Sequence, residues 1–596
     1  MSRNKIGVCS INPKPERGDN DEIEHQHRSG AAPGAAVRGL CQRVKGGCSM
    51  KTAAESNPSY WPADTSEAVL DVTLGDLLRQ VASEVPDCIA LVEAVPVASE
   101  RRRWTYRELL AGSERVARAL LGRFAPGERV AVWAPNCAEW IFLQHGASLA
   151  GIVLVTVNPA FLPNELEHLL RTSGASGLFH VDVYRKNDMK AGVEAVRQRL
   201  PHLRHAISFS SWESFLAEAR PDVQLPHVSP VDTVQIQYTS GTTGFPKGAC
   251  LHHRGIVNAS RYVALRAEFP VGGVWVNAMP LFHVGGCAVT EIGALAQRGT
   301  FVLLPAFDPG EMLEIIESER GNIALLVPTM ILAMLEHPDC KRRDLSSLQT
   351  VLSGAAVVPA ALVRRTMEAF GCAFSILFGQ TEGNGVFTQT RLTDSPVQQS
   401  ETVGTPLPCL EMKIGDPLSG EILPAGTPGE ICVRGYQAMS GYWDMPEATA
   451  FALRDEGWLH TGDMGMMDAQ GYLRVTGRLK EMIIRGGENI YPREIEDVLV
   501  GHPAVGDATV VGMPDERWGE VVVAIIRPVS PQSPPAEDEL RNWCRERLAG
   551  YKTPVAWHFV EAFPLTASGK IRKHVLREQL RSGELETLPV PVEAKA

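Results

Sequence analysis

Residues 238–248 read YTSGTTGFPKG and bring glycines, hydroxyl side chains and one lysine into a single short segment. Glycine leaves room where the backbone must approach phosphate oxygens, hydroxyls donate hydrogen bonds, and Lys247 adds a positive charge. The spacing is not GxxxxGK followed by Ser or Thr, so transfer of a γ-phosphate is not implied. The segment predicts a polyphosphate cradle made of Thr239, Ser240, Gly241, Thr242, Thr243, Gly244 and Lys247.

Four later segments also combine acidic, basic and small residues in patterns that suit a nucleotide. Each one alone is more typical of an ordinary turn or a solvated charge. Their significance lies in their occurrence together and in order along one chain. The segments are LFGQTEG (377–383), GWLHTGD (457–463), GRLKEMIIRGGENIYPREIE (477–496) and PLTASGKIRK (564–573).

Together with the cradle, these motifs resemble those of the adenylate-forming superfamily, which includes acyl-CoA synthetases, peptide-synthetase adenylation domains and beetle luciferases. The resemblance covers about residues 60–575 and is nearest to the fatty acyl-CoA synthetases. It implies a reaction in two steps. A carboxylic acid and ATP first give acyl-AMP and pyrophosphate, and a thiol then displaces AMP after a rotation of the small C-terminal domain.

The resemblance also implies roles for the nucleotide-binding residues. Phe378 would lie against the adenine ring, Thr381 near the α-phosphate, and Glu382 on the magnesium ion, for which a hard oxygen ligand is suitable. Asp463 and Arg478 are similar to the pair that binds the ribose hydroxyls. The remaining nucleotide contacts would be Gly354, Ala355, Ala356, Gly379 and Gln380, the first three in a segment that lines both the adenine and the acyl pockets.

Further roles concern the acid, the thiol and the domain rotation. Lys570 resembles the lysine that bridges the attacking carboxylate and the α-phosphate, and Lys480 occupies the hinge position. His283 would orient the acid rather than act as a base, because a carboxylate is already ionised at neutral pH. Gly486 would leave room for a pantetheine arm. The implied substrate contacts are His283, Gly354, Gly379 and Gly486, and the implied catalytic residues are Thr239, Lys247, Glu382 and Lys570.

The elements that must position these motifs alternate between helix and strand. Apolar residues recur at helical spacing in residues 74–85 and 106–124, whereas residues 128–135 and 151–159 have the pattern of short buried strands. Such alternation predicts an α/β fold with largely parallel sheets. Beyond residues 478–481 the pattern changes to that of a compact α+β unit of roughly 110 residues.

The predicted organisation has four parts. A polar tail over residues 1–55 precedes a large AMP-binding domain of several subdomains over 56–479, a small mobile α+β domain over 480–580, and a second tail over 581–596. Met50 stands just before the first segment of globular character. We therefore hypothesise that residues 1–49 lie upstream of the native start, which N-terminal sequencing would test.

Composition excludes several classes of function. A net charge of -11 disfavours a nucleic-acid partner, and the 12 cysteines show neither a CxxC pair nor a repeated spacing with histidine, against a disulfide framework or a zinc site. The most apolar run, residues 324–335, is too short to span a bilayer and contains Pro328. The first thirty residues have no apolar signal region. We expect a cytoplasmic enzyme without a membrane span, and a homodimer by analogy with the family.

The leading prediction is an acid–thiol ligase that activates a medium- or long-chain fatty acid, with ATP, Mg²⁺ and coenzyme A. No carrier-protein domain follows Lys570, which favours free coenzyme A as the acceptor. The alternative is an acyl-AMP ligase or an aryl-acid adenylating enzyme that loads a separate carrier protein. A non-catalytic homologue or a luciferase-like oxygenase is a third possibility, but Ile484 stands where luciferases have a second catalytic lysine.

Overall fold

The computed structural model describes residues 57–239, 246–356, 358–565 and 571–588. The predicted tail over residues 1–55 lies outside this part of the chain. The α-helices are α1 (Leu74–Glu84), α2 (Tyr106–Leu121), α3 (Ala138–Ala150), α4 (Pro163–Ser173), α5 (Met189–Arg197), α6 (Trp212–Leu216), α7 (His253–Arg266), α8 (Glu291–Ala296), α9 (Pro309–Ser318), α10 (Pro328–Glu336), α11 (Ala360–Phe370), α12 (Pro396–Glu401), α13 (Pro446–Ala452), α14 (Pro492–Val500), α15 (Glu537–Arg545) and α16 (Lys573–Ser582).

The strands are β1 (Tyr60–Trp61), β2 (Ile89–Glu93), β3 (Arg102–Thr105), β4 (Arg129–Trp133), β5 (Val153–Val157), β6 (Gly177–His180), β7 (Val183–Tyr184), β8 (Asn187–Asp188), β9 (His205–Ser208), β10 (Thr233–Thr239), β11 (Lys247–His252), β12 (Val274–Asn277), β13 (Thr300–Leu303), β14 (Ile323–Leu325), β15 (Thr350–Ser353), β16 (Ala373–Phe378), β17 (Thr388–Gln389), β18 (Thr405–Pro406), β19 (Leu410–Gly415), β20 (Gly429–Gly435), β21 (Gly441–Tyr442), β22 (Leu453–Arg454), β23 (Trp458–Met467), β24 (Leu473–Arg478), β25 (Ile483–Arg485), β26 (Glu488–Ile490), β27 (Val505–Asp515), β28 (Gly519–Pro528) and β29 (Ala556–Phe559).

Two sheets of mainly parallel strands form the larger part of the fold. One has the order β21-β11-β10-β5-β4-β6-β9, and the other has the order β18-β17-β16-β15-β14-β12-β13-β2-β3. The inner pairs of both sheets are parallel. Antiparallel pairs stand at one edge of the first sheet and at both edges of the second, whereas the β6–β9 edge pair of the first sheet is parallel. All five residues of β5 are buried, as expected for a strand covered on both faces. The predicted α/β class with largely parallel sheets is confirmed.

Local sequence explains where the first helices begin. Thr73 and Thr105 each cap the helix that follows, and each hydroxyl accepts a hydrogen bond from the backbone N–H three residues later. The Asp76 and Glu108 carboxylates in turn accept hydrogen bonds from the backbone N–H groups of Thr73 and Thr105, which completes two capping boxes. The predicted helices near residues 74 and 106 are confirmed. No helix in the described ranges is long and apolar enough to cross a bilayer.

A third sheet is antiparallel and has the order β1-β19-β20-β23-β22, with β24 paired to β23. It carries the 457–463 motif in β23 and ends at Arg478 in β24. A fourth sheet, with the order β26-β25-β28-β27 and β29 beside β28, forms the core of a smaller α+β part with α14 and α15. The prediction of a smaller α+β part at the C-terminal end is confirmed. The chain passes into it from the third sheet, because β24 ends at Arg478 and β25 begins at Ile483.

The limits of the predicted domains stay predictions. Helix α16 continues to Ser582, and the Leu588 N–H donates a hydrogen bond of 2.7 Å to the Phe559 carbonyl oxygen. Both features lie beyond the predicted limit at residue 580. Of the predicted tail over 581–596, residues 589–596 lie outside the described residues.

Candidate active site

The predicted phosphate cradle follows a strand that pairs with its own return strand. β10 ends at Thr239 and β11 begins at Lys247, and these two residues face each other in the antiparallel register. The Thr239 hydroxyl donates a hydrogen bond of 3.4 Å to the Lys247 carbonyl oxygen. The structure thus holds Thr239 and Lys247 together where the described parts of β10 and β11 end. The other predicted cradle residues, Ser240, Gly241, Thr242, Thr243 and Gly244, lie outside the described residues.

Lys247, Tyr442 and Glu382 form a chain of contacts beside these strand ends. β21 pairs with β11, and Tyr442 lies opposite Ala249. The Lys247 ammonium lies 4.9 Å from the centroid of the Tyr442 ring, and the Tyr442 hydroxyl donates a 2.9 Å hydrogen bond to Glu382 Oε1. Burial and the Glu382 charge raise the pKa of Tyr442, so its hydroxyl stays protonated. Tyr442 therefore connects two residues that belong to separate motifs.

Tyr442 is a site residue that no sequence motif singled out. It stands in the triplet GYW, which is typical of ordinary core aromatics, and its strand has only two residues. Its proximity to Lys247 arises from the pairing of β21 with β11, whose sequences are almost 200 residues apart in the chain. Its one sequence signal is a tyrosine next to a glycine in a stretch rich in turn formers.

The Glu382 side chain is chemically suited to hold a magnesium ion. It is a hard oxygen ligand in the middle of a short 3-10 turn, and it is only 9% exposed. Magnesium in nucleotide enzymes is usually held by one or two carboxylates together with phosphate oxygens. The residues present therefore fit the metal that the sequence predicts.

Asp463 and Arg478 face each other across the ladder between β23 and β24. The Arg478 Nε atom lies 3.0 Å from Asp463 Oδ1. The Asp463 charge holds the pKa of Arg478 above its usual value, against the opposing effect of burial. The Gln380 amide donates a 3.2 Å hydrogen bond to the Thr461 carbonyl oxygen, two residues before Asp463. The predicted ribose pair and the 377–383 motif therefore meet.

The other predicted nucleotide contacts follow the carboxyl ends of β15 and β16, two adjacent parallel strands. Ligands in open α/β sheets bind at such ends. A Cβ on Gly354 would lie 2.5 Å from the Leu377 carbonyl oxygen, and one on Gly379 would lie 2.0 Å from the Gly385 carbonyl oxygen, so both positions require glycine. The structure places together Gly354, Ala355, Ala356, Phe378, Gly379, Gln380 and Thr381.

His283 lies just before a π-helical turn over Gly285–Thr290. The Gly285 N–H donates a hydrogen bond of 3.1 Å to His283 Nδ1, which fixes the orientation of the imidazole. A Cβ on Gly286 would lie 2.3 Å from the Pro280 carbonyl oxygen, so the turn depends on glycine. Such π-helical turns are frequent at functional sites. This geometry is compatible with an orienting role for His283.

Buried amide side chains fix the π-helical turn over Gly285–Thr290. The Gln144 amide donates hydrogen bonds to the Cys287 carbonyl oxygen and to Glu291 Oε2, at 3.1 and 2.9 Å. Gln235 donates to Gln144 at 2.7 Å, and it belongs to β10, the strand that ends at the phosphate cradle. Satisfied buried networks of this kind make a region rigid. A chain of buried hydrogen bonds therefore joins the π-helical turn after His283 to strand β10.

Two of the residues predicted on the C-terminal side have described surroundings. Burial, reinforced by the charges of Lys247 and Arg478, lowers the pKa of Lys480, so the predicted hinge residue faces the same cluster of cations. Gly486 has a φ of +61° in the turn between β25 and β26, and its N–H donates to the Trp518 carbonyl oxygen at 2.7 Å. Its neighbours belong to the small C-terminal sheet. Lys570 lies outside the described residues.

The buried carboxylate, the cation cluster and the Asp–Arg pair define a class of α/β enzyme that binds a nucleotide. The chain belongs to the AMP-binding enzyme family, whose model matches residues 78–443, and the model of the AMP-binding enzyme C-terminal domain matches residues 494–570. The predicted superfamily is thus confirmed. ATP-dependent, AMP-forming ligation of an acid to coenzyme A follows from this membership together with the acyl-CoA ligases among its relatives.

Three known proteins illustrate the similarity. Medium-chain acyl-CoA ligase ACSF2, mitochondrial, of Rattus norvegicus is 34% identical over 88% of this chain and 90% of its own length. Feruloyl-CoA synthase of Amycolatopsis sp is 40% identical over 80% of this chain and 94% of its own length. The crystal structure of ATP-bound MatB from Rhodopseudomonas palustris is 28% identical, with a TM-score of 0.78, and the match covers 87% of this chain and 100% of that one.

The contact between Tyr442 and Glu382 yields a testable prediction. Tyr442→Phe keeps the aromatic ring under Lys247 but removes the hydroxyl that holds the Glu382 carboxylate. Hydrogen bonds to charged groups are worth about 1.5 to 3 kcal/mol, so we expect the Mg²⁺ concentration for half-maximal pyrophosphate release to rise about tenfold. Mn²⁺ binding followed by electron paramagnetic resonance in the presence of ATP should weaken similarly.

Tyr436→Phe is the matched control. Its hydroxyl is buried and has no hydrogen-bond partner among the described residues, so removing it should leave the Mg²⁺ dependence unchanged. Equal Mg²⁺ dependence in the two variants would show that Tyr442 does not hold Glu382 for the metal.

Proposed function

We propose that the protein converts a medium- or long-chain fatty acid to its coenzyme A thioester through an acyl-AMP, with Mg²⁺ held by Glu382. The observation that carries the nucleotide part is the meeting of Lys247, Glu382, Asp463 and Arg478 around the ends of β10, β11 and β24. The medium-chain ligase of Rattus norvegicus supports an aliphatic acid.

Contacts to the ribose and to the outer phosphates of ATP fix the position of its α-phosphate. Asp463 accepts hydrogen bonds from the ribose hydroxyls and Arg478 donates others, while the cradle from Thr239 to Lys247 holds the β- and γ-phosphates. A magnesium ion on Glu382 would neutralise phosphate charge as pyrophosphate leaves. ATP is thereby held at its ribose and at its terminal phosphates, so that the α-phosphorus is open to attack.

The first step needs positioning and charge neutralisation rather than a base. The acid is ionised at neutral pH, and His283 orients it. One carboxylate oxygen forms a bond to the α-phosphorus, the bond from that phosphorus to the bridging oxygen breaks, and pyrophosphate departs. Lys570 bridges the carboxylate and the α-phosphate and stabilises the pentavalent transition state. The remaining site roles, among them Phe378 on adenine, are carried over from the resemblance.

In the second step the thiol of coenzyme A attacks the acyl carbon, the carbon–oxygen bond to AMP breaks, and the thiol proton passes to solvent. Lys480 is the hinge about which the small C-terminal domain rotates between the two steps. The rotation moves Lys570 out of the active site and brings in the turn around Gly486. The pantetheine arm passes Gly486. A cytoplasmic location and a homodimer are further predictions from the sequence, as are the domain limits.

An aromatic acid is the second candidate substrate. It is favoured by the 40% identity to feruloyl-CoA synthase, which exceeds that to the medium-chain ligase. Transfer to a separate carrier protein instead of coenzyme A is the alternative for the second step. Assays that vary the acid and the thiol acceptor distinguish both alternatives from the leading proposal.

Pyrophosphate release across a panel of acids tests the substrate. Aliphatic acids of medium and long chain should give the highest kcat/KM, and coenzyme A should be required for continuous turnover because it removes acyl-AMP. A higher kcat/KM for aromatic acids would transfer the assignment to the second candidate. Pyrophosphate release that coenzyme A does not stimulate would favour a carrier protein as the acceptor.

Lys570→Ala separates the two steps. Loss of a group that stabilises transition-state charge typically lowers a rate by about 10² to 10³-fold, and we expect that loss in acyl-AMP formation. Thioester formation from supplied acyl-AMP should stay close to that of the unsubstituted enzyme, which also serves as the control for folding. Equal loss in both half-reactions would contradict the role of Lys570.

A further inference from the structure

The strand that carries Asp463 bulges at that point. In the pairing of β20 with β23, Cys432 lies opposite His460 and Glu430 lies opposite Met464. Three residues, 461–463, therefore stand where β20 has the single residue Ile431, and Gly462 has a φ of +69°. Bulges next to active sites change the direction of a side chain. The conformation of this bulge decides where the Asp463 carboxylate points.

Two side chains hold the backbone of the bulge. Glu430 Oε1 accepts a hydrogen bond of 3.1 Å from the Gly462 N–H. The Thr461 hydroxyl donates to the Ile431 carbonyl oxygen at 2.7 Å and accepts from the Asp463 N–H at 3.1 Å. Backbone groups that leave a ladder need such partners when they are buried. Glu430 and Thr461 thus replace the strand pairing that the bulge interrupts.

The Glu430 carboxylate is itself buried, with an exposure of 4%, and needs compensation for its charge. His460 Nδ1 lies 2.8 Å from Glu430 Oε2, and His460 Nε2 lies 2.9 Å from Asp455 Oδ2. The Arg454 guanidinium lies 3.5 Å from Glu430 Oε2. The imidazole between two carboxylates, with an arginine beside it, holds Glu430 in one orientation.

Glu430, Cys432 and His460 also have potential metal-ligand atoms within 4.8 Å of one another. Two observations favour the ion-pair network over a metal. The Arg454 guanidinium lies 3.0 Å from His460 Nδ1, and it lies 3.5 Å from Glu430 Oε2. A cation is thus present where a metal would bind.

We propose that Glu430, oriented by His460, is a positioning residue that locks the bulge over residues 461–463 so that Asp463 can accept hydrogen bonds from both ribose hydroxyls. The inference rests on the proposed ribose-binding role of Asp463. Gln380, which donates to the Thr461 carbonyl oxygen, connects the same bulge to the 377–383 motif. Discrimination between ribose and deoxyribose should therefore depend on Glu430, which acts through the Gly462 N–H.

The test compares ATP with 2′-deoxy-ATP and 3′-deoxy-ATP in acid-dependent pyrophosphate release. In Glu430→Ala we expect the KM for ATP to rise about tenfold and the preference for ATP over each deoxynucleotide to fall by a similar factor, from the loss of a hydrogen bond to a charged group. The KM values for the acid and for coenzyme A should not change. Glu430→Gln, which keeps an acceptor for the Gly462 N–H, should restore most of the preference.

Glu411→Ala is the matched control, because Glu411 is also paired with an arginine in this sheet, Arg434, but lies on β19, away from the bulge. Its sugar preference should equal that of the unsubstituted enzyme. Thr461→Val supplies an independent variant if Glu430→Ala fails to fold, since it removes the hydroxyl that holds the Asp463 N–H with little change in volume. It should lose sugar preference as well.

Asp463→Ala distinguishes failure of the inference from failure of the proposed function. If Asp463→Ala loses the sugar preference while Glu430→Ala and Thr461→Val retain it, the positioning role is wrong and the ribose pair stands. If Asp463→Ala retains the full preference, the ribose pair is wrong and the positioning role falls with it. Loss in all three variants, with rescue by Glu430→Gln, supports both.

Discussion

The ion pair between the Asp463 carboxylate and the Arg478 guanidinium, 3.0 Å apart, is the interaction on which the charge arrangement of the site depends most. Lys480 is partly buried, and the charges of Lys247 and Arg478 add to burial in lowering its pKa. Lys247 begins β11, Arg478 ends β24 and Lys480 is at the predicted hinge. A polyphosphate would relieve their repulsion, because it brings several negative charges to one place.

Carboxylates and aromatic rings hold these cations until a nucleotide binds. Asp463 pairs with Arg478, and Tyr442 lies between Lys247 and Glu382. The contacts of Tyr442 join elements that are distant in sequence, whereas Asp463 and Arg478 lie on the consecutive strands β23 and β24. Because Arg478 and Lys247 already have partners, ATP and its metal would enter by exchanging these partners instead of by refolding the site.

The fold class was predictable from the alternation of helical and strand patterns, and the short motifs located the candidate site residues, whose roles stay predictions. Neighbouring carbonyl oxygens leave no room for a Cβ at Gly354 and Gly379, and the sequence shows this demand directly as glycine. Tyr442 and Glu430 could not be predicted in the same way. Tyr442 reaches Lys247 through an edge-strand pairing, and Glu430 reaches Gly462 through a bulge whose register no periodicity encodes.

Transfer of oxygen from the acid to AMP tests the central claim most directly. If the carboxylate attacks the α-phosphate, a carboxylic acid labelled with ¹⁸O in its carboxylate must leave one labelled oxygen in AMP after thioester formation. Mass spectrometry of the products should find the label in AMP and none in pyrophosphate. Label in orthophosphate, with ADP as the nucleotide product, would mean attack at the γ-phosphate and would contradict the account.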